Sequence, residues 1–262
     1  MKIITKKSLG QNFLIDHNIL EKIVNFAKIE NKEILEVGPG TGNLTQYILK
    51  KNPKKMHVIE KDNDLCLILN EKFNDKVNII NNDILKVSED AISQSKLTVF
   101  GNLPYNISTE ILSKWITNSD KEFWFDKLIL MFQKEVADRI IAKSGTSNYG
   151  RLSILSSWKL NIEKIIDIKP ESFLPKPKIN SSLLVFSPKK EFFNLKNPKN
   201  LEMITRVFFS QRRKMIKKPF NQIFNNSNKI SKKLEINLNL RPQNLKPETY
   251  YKITKEYEDL RC

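Results

Sequence analysis

Four consecutive residues, Asn102, Leu103, Pro104 and Tyr105, bring together a side-chain amide, a backbone carbonyl and an aromatic face. They sit inside the run Gly101-Asn102-Leu103-Pro104-Tyr105-Asn106-Ile107-Ser108. Pro104 has no N–H and drives Leu103 away from the helical region, so a strand entering this run must stop and the Leu103 carbonyl stays outside the ladder. Two acceptors and one stacking surface suit a flat ring that carries an amino group: each N–H meets an oxygen, and the ring face meets Tyr105. An ordinary strand-to-loop turn has the same local signature. The surrounding elements decide between the two.

The apolar stretch Leu97–Phe100 runs straight into these residues, which places them at the carboxyl end of a buried strand, where open α/β sheets hold their ligands. Further strand signals fall at Glu33–Val37, Met56–Glu60, Val77–Asn81, Leu97–Gly101 and Lys127–Phe132. They alternate with helical patterns over 42–51, 62–73 and 108–118, which predicts a doubly wound, mostly parallel α/β sheet. Two later strand-like runs, Ile162–Ile168 and Ser181–Phe186, are joined by the proline-rich Lys169–Lys178 and are expected as an antiparallel edge pair. After Pro188 the pattern turns helical and basic, so a first domain of 1–188 and a second of 189–262 are expected. No internal repeat stands out.

Glycine usage narrows the ligand. The chain has seven glycines, and three of them fall in Glu36-Val37-Gly38-Pro39-Gly40-Thr41-Gly42, a loop that follows the first strand and opens a helix. Glycines there let backbone N–H groups approach a ligand closely. The spacing departs from the dinucleotide fingerprint, since Asn43 stands three positions after Gly40. A pyrophosphate is disfavoured, and a nucleoside with a short zwitterionic tail fits better. The next two strands end in Glu60 and Asp83. A carboxylate at the first of these tips accepts ribose hydroxyls, and one at the second accepts an adenine amino proton. This order of groups on successive strand ends implies S-adenosylmethionine.

Composition bounds the partners. The net charge is +16, and residues 181–262 hold 18 Lys or Arg against 7 Asp or Glu, whereas residues 1–180 hold 27 against 22. A field concentrated in the last third favours a polyanion. No apolar run approaches the ~18 residues that span a bilayer, and Met1–Lys7 is basic without a following apolar segment, so a soluble, cytoplasmic protein is expected. Cys66 and Cys262 form neither a disulfide framework nor a metal site, and His17 and His57 stand apart from any ligand set.

The motifs together resemble the ribosomal RNA adenine N6-dimethyltransferases. The resemblance is carried by Gly10-Gln11-Asn12-Phe13-Leu14, the Gly38–Gly42 loop, Glu60, Asp83 and Gly101–Ser108. It continues through Gln133-Lys134-Glu135-Val136, Tyr149-Gly150-Arg151-Leu152-Ser153, Phe173-x-Pro175-x-Pro177-Lys178 and Gln211-Arg212-Arg213-Lys214, and so covers nearly the whole chain. It implies a Rossmann-like class I methyltransferase sheet in 1–188 and a small helical RNA-binding domain in 189–262. It also implies S-adenosylmethionine as cofactor, no metal, and dimethylation of two adjacent adenosines in the 3′-terminal hairpin loop of 16S ribosomal RNA within a pre-30S particle. A monomer is expected.

Carried over residue by residue, the resemblance implies that Asn12 and Leu14 close one side of the cofactor pocket. Gly38 and Gly40 line its methionine side, Glu60 binds the ribose and Asp83 the adenine. Asn102 touches cofactor and substrate, and Tyr105 and Phe173 stack the two faces of the target base. For the RNA, Leu201, Ile204 and Phe208 form an inward helical stripe, while Arg206, Arg213 and Lys217 recur at i, i+7 and i+11 on another side. Arg212, Lys214 and Lys218 add charge nearby, and the cluster is expected to contact phosphates. Two other functions compete: the same reaction on large-subunit RNA, against which the basic Gln211–Lys218 segment argues, and a non-catalytic ribosome-assembly factor. Methylation of protein glutamine or DNA adenine is less favoured, because those motifs usually carry a second proline where Leu103 stands.

Overall fold

A computed structural model of the chain describes residues 11–119 and 122–261. Gly10 of the first motif, the basic Met1–Lys7 and Cys262 lie outside them. A seven-stranded sheet runs in the order β4-β3-β2-β5-β6-β9-β7, with β2 at Glu33–Val37, β3 at Lys55–Glu60, β4 at Asn78–Asn81, β5 at Leu97–Asn102, β6 at Phe125–Gln133, β7 at Leu160–Ile168 and β9 at Ser181–Pro188. β2 pairs in parallel with both β3 and β5, β3 with β4, and β5 with β6, whereas β6 and β9 are antiparallel. The mostly parallel α/β sheet expected from the sequence is therefore present. Ile34, Val58, Val99 and Phe100 are fully buried on these central strands, as both faces of a parallel sheet require. Burying each such side chain contributes about 1.5–3 kcal/mol.

The strand order places the site. From β2 the chain moves outward to β3 and β4, then returns to β5 on the other side of β2. The order reverses between β2 and β5, and the crevice beyond the carboxyl ends of two such strands is where open sheets bind ligands. Val37 pairs with Gly101, so the next residues, Gly38 and Asn102, stand side by side where β2 and β5 end. Helices α2 (Asn43–Leu49), α3 (Asn63–Phe73), α4 (Ser108–Asn118) and α5 (Lys134–Ile140) follow β2, β3, β5 and β6. Helix α1 (His17–Val24) precedes the sheet and buries Leu20, Ile23 and Val24, the i, i+3, i+4 face of an amphipathic helix. Asp16 caps it, its carboxylate accepting from the N–H groups of Asn18 and Ile19.

One ladder was not anticipated. Within the proline-rich connection, β8 (Phe173–Leu174) pairs antiparallel with β1 (Phe13–Leu14), with Leu14 opposite Phe173. The pair ties the segment after residue 11 to the segment before β9.

By contacts the described residues divide into two compact units, those within 1–137 and 162–188, and those within 138–161 and 189–262. Segment 138–161, which falls within the expected 1–188 domain, groups with the C-terminal unit. The second unit holds α6 (Arg151–Lys159), α7 (Pro198–Phe209), α8 (Lys217–Ile223), α9 (Ser227–Lys233) and α10 (Pro247–Asp259). Its aromatics explain the grouping: Tyr251 Oη donates to the Ile154 carbonyl (2.9 Å), Trp158 Nε1–H to that of Phe193 (2.7 Å), and the Tyr149 ring meets Phe209 edge-on. Glu258 near the end of α10 accepts the N–H groups of Lys196 (2.7 Å) and Asn197 (2.9 Å) and so fixes the start of α7.

Candidate active site and basic turn

The strand ends of the first unit enclose a cavity of about 180 Å³, lined by Asn12, Gly38, Gly40, Glu60, Asp83 and the Asn102–Tyr105 run, together with Gln11, Phe13, Lys61, Ile84 and Leu85. Gly38 and Gly40 take φ values of +69° and +58°, a left-handed backbone that side chains disfavour. At Gly40 a Cβ would also lie 2.6 Å from the Phe13 ring, so the loop and β1 fit together only with a hydrogen there.

Glu60 ends β3 and is 8 % exposed. Its Oε1 accepts the N–H groups of Lys61 and Asp62 (both 2.9 Å), and Oε2 accepts that of Gly40 (3.2 Å). Burial pushes its carboxyl above the usual range, opposed by these three N–H groups. The carboxylate is thus locked in direction, with Oε2 the less engaged oxygen. Asp83 caps a short 3₁₀ turn, Oδ1 accepting from Leu85 N–H (3.0 Å), while Oδ2 pairs with Lys61 Nζ (2.9 Å), which holds its carboxyl below the ordinary value.

Asn102 Nδ2–H donates to the Asn12 carbonyl (2.7 Å). A carbonyl only accepts, so the amide nitrogen must face it and Oδ1 must face the other way. Leu103 is 1 % exposed, and its neighbour Pro104 begins the turn into α4 by accepting from Ile107 N–H (3.1 Å). Tyr105 is half-buried, and its hydroxyl shares a hydrogen bond with Ser181 Oγ (2.6 Å), which fixes the ring plane. Burial raises that phenol above its usual value, so it stays neutral.

Two expected residues stand elsewhere. Phe173 is 2 % exposed and packs in the same apolar cluster as Leu14, its partner across the β1–β8 ladder; it does not line the cavity and offers no open face to a base. Leu14, 4 % exposed, lines a smaller recess behind the glycine loop with Glu36 and Asn43, and its carbonyl accepts from Asn43 Nδ2 (2.8 Å). Phe13, not Leu14, presents its side chain to the cavity from β1. Strand alternation over Phe13 and Leu14 was the signal for that, but a two-residue strand carries no period. Also missed was Glu36, buried in β2 with Oε2 accepting from Thr45 Oγ1–H (2.6 Å); burial pushes its carboxyl up to about 8, so it is protonated at neutral pH.

In the second unit, Arg206, Arg213, Lys214, Lys217 and Lys218 are exposed. They do not share one helix, contrary to the i, i+7, i+11 reading: α7 ends at Phe209, and Ile216 and Lys217 turn their N–H groups to the carbonyls of Leu240 (2.8 Å) and Leu238 (3.1 Å). Buried Ile216 anchors the turn. Arg212 differs from its neighbours. Its Nε–H donates to Gln243 Oε1 (3.2 Å) and its Nη2 to the carbonyls of Thr146 (3.3 Å) and Ser147, so it ties the turn to two other loops of the unit. Among the described residues, no group of three or more His, Cys, Asp or Glu could hold a metal ion, and no helix is long and apolar enough to cross a membrane. His17 and His57 bond Tyr47 and Asn78 and line no part of the cavity.

Known proteins share this architecture. A family model described as ribosomal RNA adenine dimethylase matches residues 4–259. A protein of Pelagibacter ubique named ribosomal RNA small subunit methyltransferase A is 69% identical over 100% of both chains, and one of that name from Wolbachia sp. subsp. Drosophila simulans is 41% identical over 98% of this chain and 95% of the relative. A solved dimethyladenosine transferase from Plasmodium falciparum superposes with a TM-score of 0.78 at 27% identity, covering 94% of this chain and 98% of that one. The sheet is that of the class I methyltransferases. With the glycine loop, the two strand-end acids and the Asn102–Tyr105 run gathered at one crevice, this chain belongs to the ribosomal RNA adenine dimethylase family.

Proposed function

We propose that this S-adenosylmethionine-dependent adenine dimethyltransferase acts on N6 of two adjacent adenosines in the 3′-terminal hairpin loop of 16S ribosomal RNA, within a pre-30S particle in the cytoplasm. The observation that carries the chemistry is the Asn102 amide, turned by the Asn12 carbonyl so that its oxygen faces away from β1, beside the fixed ring of Tyr105. The small-subunit substrate is supported by the name of the 69%-identical relative.

The cavity fits the cofactor by its chemistry. Gly38 and Gly40 bring left-handed backbone without side chains to the cavity wall, Glu60 directs a carboxylate toward ribose hydroxyls, and Asp83 offers an acceptor to the adenine amino group. Bound there, S-adenosylmethionine supplies an electrophilic methyl group on its sulfonium. Asn102 Oδ1 and the Leu103 carbonyl accept the two N–H bonds of the target adenine. Adenine N6 is a poor nucleophile while its lone pair is delocalised into the ring; the two acceptors favour a pyramidal nitrogen and hold it in line with the methyl group. Tyr105 stacks one face of the base. The methylated nitrogen is cationic and strongly acidic, and it loses its proton to water, so no histidine or lysine base is needed. A loop adenosine costs less to extrude than a paired one. Arg206, Arg213, Lys214, Lys217 and Lys218 supply exposed cations for phosphates, with Arg212 holding the turn that presents Arg213 and Lys214.

Incubation with labelled S-adenosylmethionine and unmethylated 30S particles, free 16S RNA or 50S particles, followed by nucleoside mapping, tests the reading. The expected product is N6,N6-dimethyladenosine at two adjacent positions of 16S RNA. Label in 50S particles alone returns the large-subunit alternative, and binding to 30S without label returns the assembly-factor alternative.

A further inference from the structure

The wall of the cavity beyond Asp83 is held by its own backbone over short spans. Residues 84–91 make two short 3₁₀ turns, Ile84–Lys86 and Glu89–Ala91; Lys86 N–H reaches the Asp83 carbonyl at 2.8 Å, and between the turns Val87 N–H reaches the Ile84 carbonyl at 3.4 Å. Ile84 and Leu85 nonetheless line the cavity at the end where Asp83 waits for adenine. Bonds from outside the loop tie these local turns to the rest of the unit.

We infer that Lys114, with Glu89, is a positioning residue for the cofactor: it fixes the Asp83–Leu85 wall without touching the ligand. This rests on the reading of the cavity as the S-adenosylmethionine site. Lys114 Nζ donates to the Ile84 carbonyl (3.1 Å), the Val87 carbonyl (2.6 Å) and Glu89 Oε1 (2.8 Å). An ammonium has three protons, and all three are spent on this one loop. The cluster is largely removed from water, with the Lys114 side chain 19% and the Glu89 side chain 8% exposed. Glu89 Oε1 also accepts from Nε1–H of buried Trp115 (2.7 Å), so adjacent residues of α4 grip the loop together. Neither Lys114 nor Glu89 lines the cavity.

The placement in the chain gives the clamp its consequence. α4 starts at Ser108, three residues beyond Tyr105, and its first turn is formed by the chain leaving the Asn102–Tyr105 run. One helix therefore carries the end of the base-holding run at its start and clamps the adenine wall from its middle. Removing the ammonium takes a donor from both carbonyls and the cation from the buried Glu89 carboxylate, and the loop relaxes to re-solvate them. Asp83 then no longer stands at a fixed distance from Glu60.

The test uses the full chain. Titration of S-adenosylhomocysteine by calorimetry, and rates against S-adenosylmethionine concentration on 30S particles, compare wild type with Lys114→Met and Lys114→Arg. The methionine variant is expected to raise Kd and KM about tenfold, the equivalent of one charge-assisted hydrogen bond lost from the bound state, with kcat at saturation nearly unchanged. Arginine, which keeps the charge and several donors, is expected to recover most of the loss. A folded Lys114→Met with wild-type Kd and a lowered melting temperature shows a purely structural lysine and overturns the proposal, as does a fall confined to kcat. If Lys114→Met does not fold, Glu89→Gln is measured instead; a smaller rise in Kd supports the proposal, and no rise overturns it. Failure of the wild type to bind S-adenosylhomocysteine overturns the cofactor reading and is distinguishable from all of these.

Discussion

The proposed cofactor cavity of the first unit and the basic turn of the second treat their charges in opposite ways. In the cavity each acid is already engaged: Glu60 by three backbone N–H groups, and Asp83 by Leu85 N–H and Lys61. On the turn, Arg213, Lys214, Lys217 and Lys218 stand exposed, and Arg212 alone of the Arg212–Lys214 run has guanidinium bonds to neighbouring loops. To a small zwitterionic ligand the proposed site offers directions fixed beforehand. A polyanion is held by number and proximity of charge, through counterion release, and needs little prior order. Substitutions in the two regions therefore differ in kind: the first set acts through geometry and is insensitive to salt, the second acts through salt.

The largest effect is expected at Gly40. Gly40→Val forces a β-branched residue into φ +58° and drives its Cβ to 2.6 Å from the Phe13 ring. Calorimetry is expected to show cofactor binding weakened by more than about 100-fold, which corresponds to roughly 3 kcal/mol. RNA affinity should hold, and a parallel loss of RNA binding would break the comparison between the regions.

The basic turn comes next. Neutralising Arg213 and Lys214 together is expected to lower the slope of log K against log[salt] by roughly 0.7–0.9 per lost phosphate contact, with cofactor Kd unchanged. Arg212→Ala sharpens the contrast. Its guanidinium bonds three groups within the protein, so the expected change is a lower melting temperature of the second unit, about 1 kcal/mol per lost hydrogen bond, and a smaller change in slope. A slope change at Arg212 equal to that at Arg213, with stability intact, would return it to the phosphate contacts.

The smallest effect is a pH dependence of stability within the first unit. Glu36 titrates near 4.5 when unfolded and is pushed up to about 8 by burial in the fold. Between those values the folded state holds a proton that the unfolded chain releases, so this group makes stability fall as pH rises from about 4.5 to about 8 and adds no further change above that. Glu60, also raised, acts in the same direction, whereas buried His57, lowered, adds stability as pH rises through its unfolded range. Glu36→Gln keeps the Thr45 bond and removes one proton from this balance. Denaturant midpoints of the variant minus wild type are expected to rise across pH 5–8; a flat difference would show that Glu36 is already ionised in the fold.

The features legible in the sequence were those whose signal lies within a few residues. Strand tips at Val37, Glu60, Asn81 and Gly101 showed as apolar runs ending in glycine, acid or amide, and the left-handed Gly38 and Gly40 could be anticipated from type alone. What escaped depends on partners far along the chain. Phe173 reads as an available aromatic until β8 pairs with β1, some 160 residues earlier, and turns it into the core. Arg212 reads as one more cation until Thr146, Ser147 and Gln243 are brought to it. Lys114 lies on an amphipathic helix as an ordinary polar residue, and its three acceptors belong to a loop with no sequence periodicity. Segment 138–161 joins the second unit through Tyr149, Trp158 and Tyr251, aromatic contacts that no local pattern announces. The helical spacing of Arg206, Arg213 and Lys217 misled because Ile216 docks elsewhere and ends the helical path.

The central claim is that catalysis is positioning of the adenine amino group by Asn102 and the Leu103 carbonyl. Its most direct test is methyl transfer by Asn102→Ala to unmethylated 30S particles, quantified by nucleoside mapping of 16S RNA beside a titration of S-adenosylhomocysteine. The expected result is a loss of about 10²- to 10³-fold in N6,N6-dimethyladenosine formation, the usual cost of deleting one preorganised polar contact to the reacting group, with cofactor Kd of the same order as wild type. Near-normal dimethylation, or a loss fully accounted for by weaker cofactor binding, would contradict it.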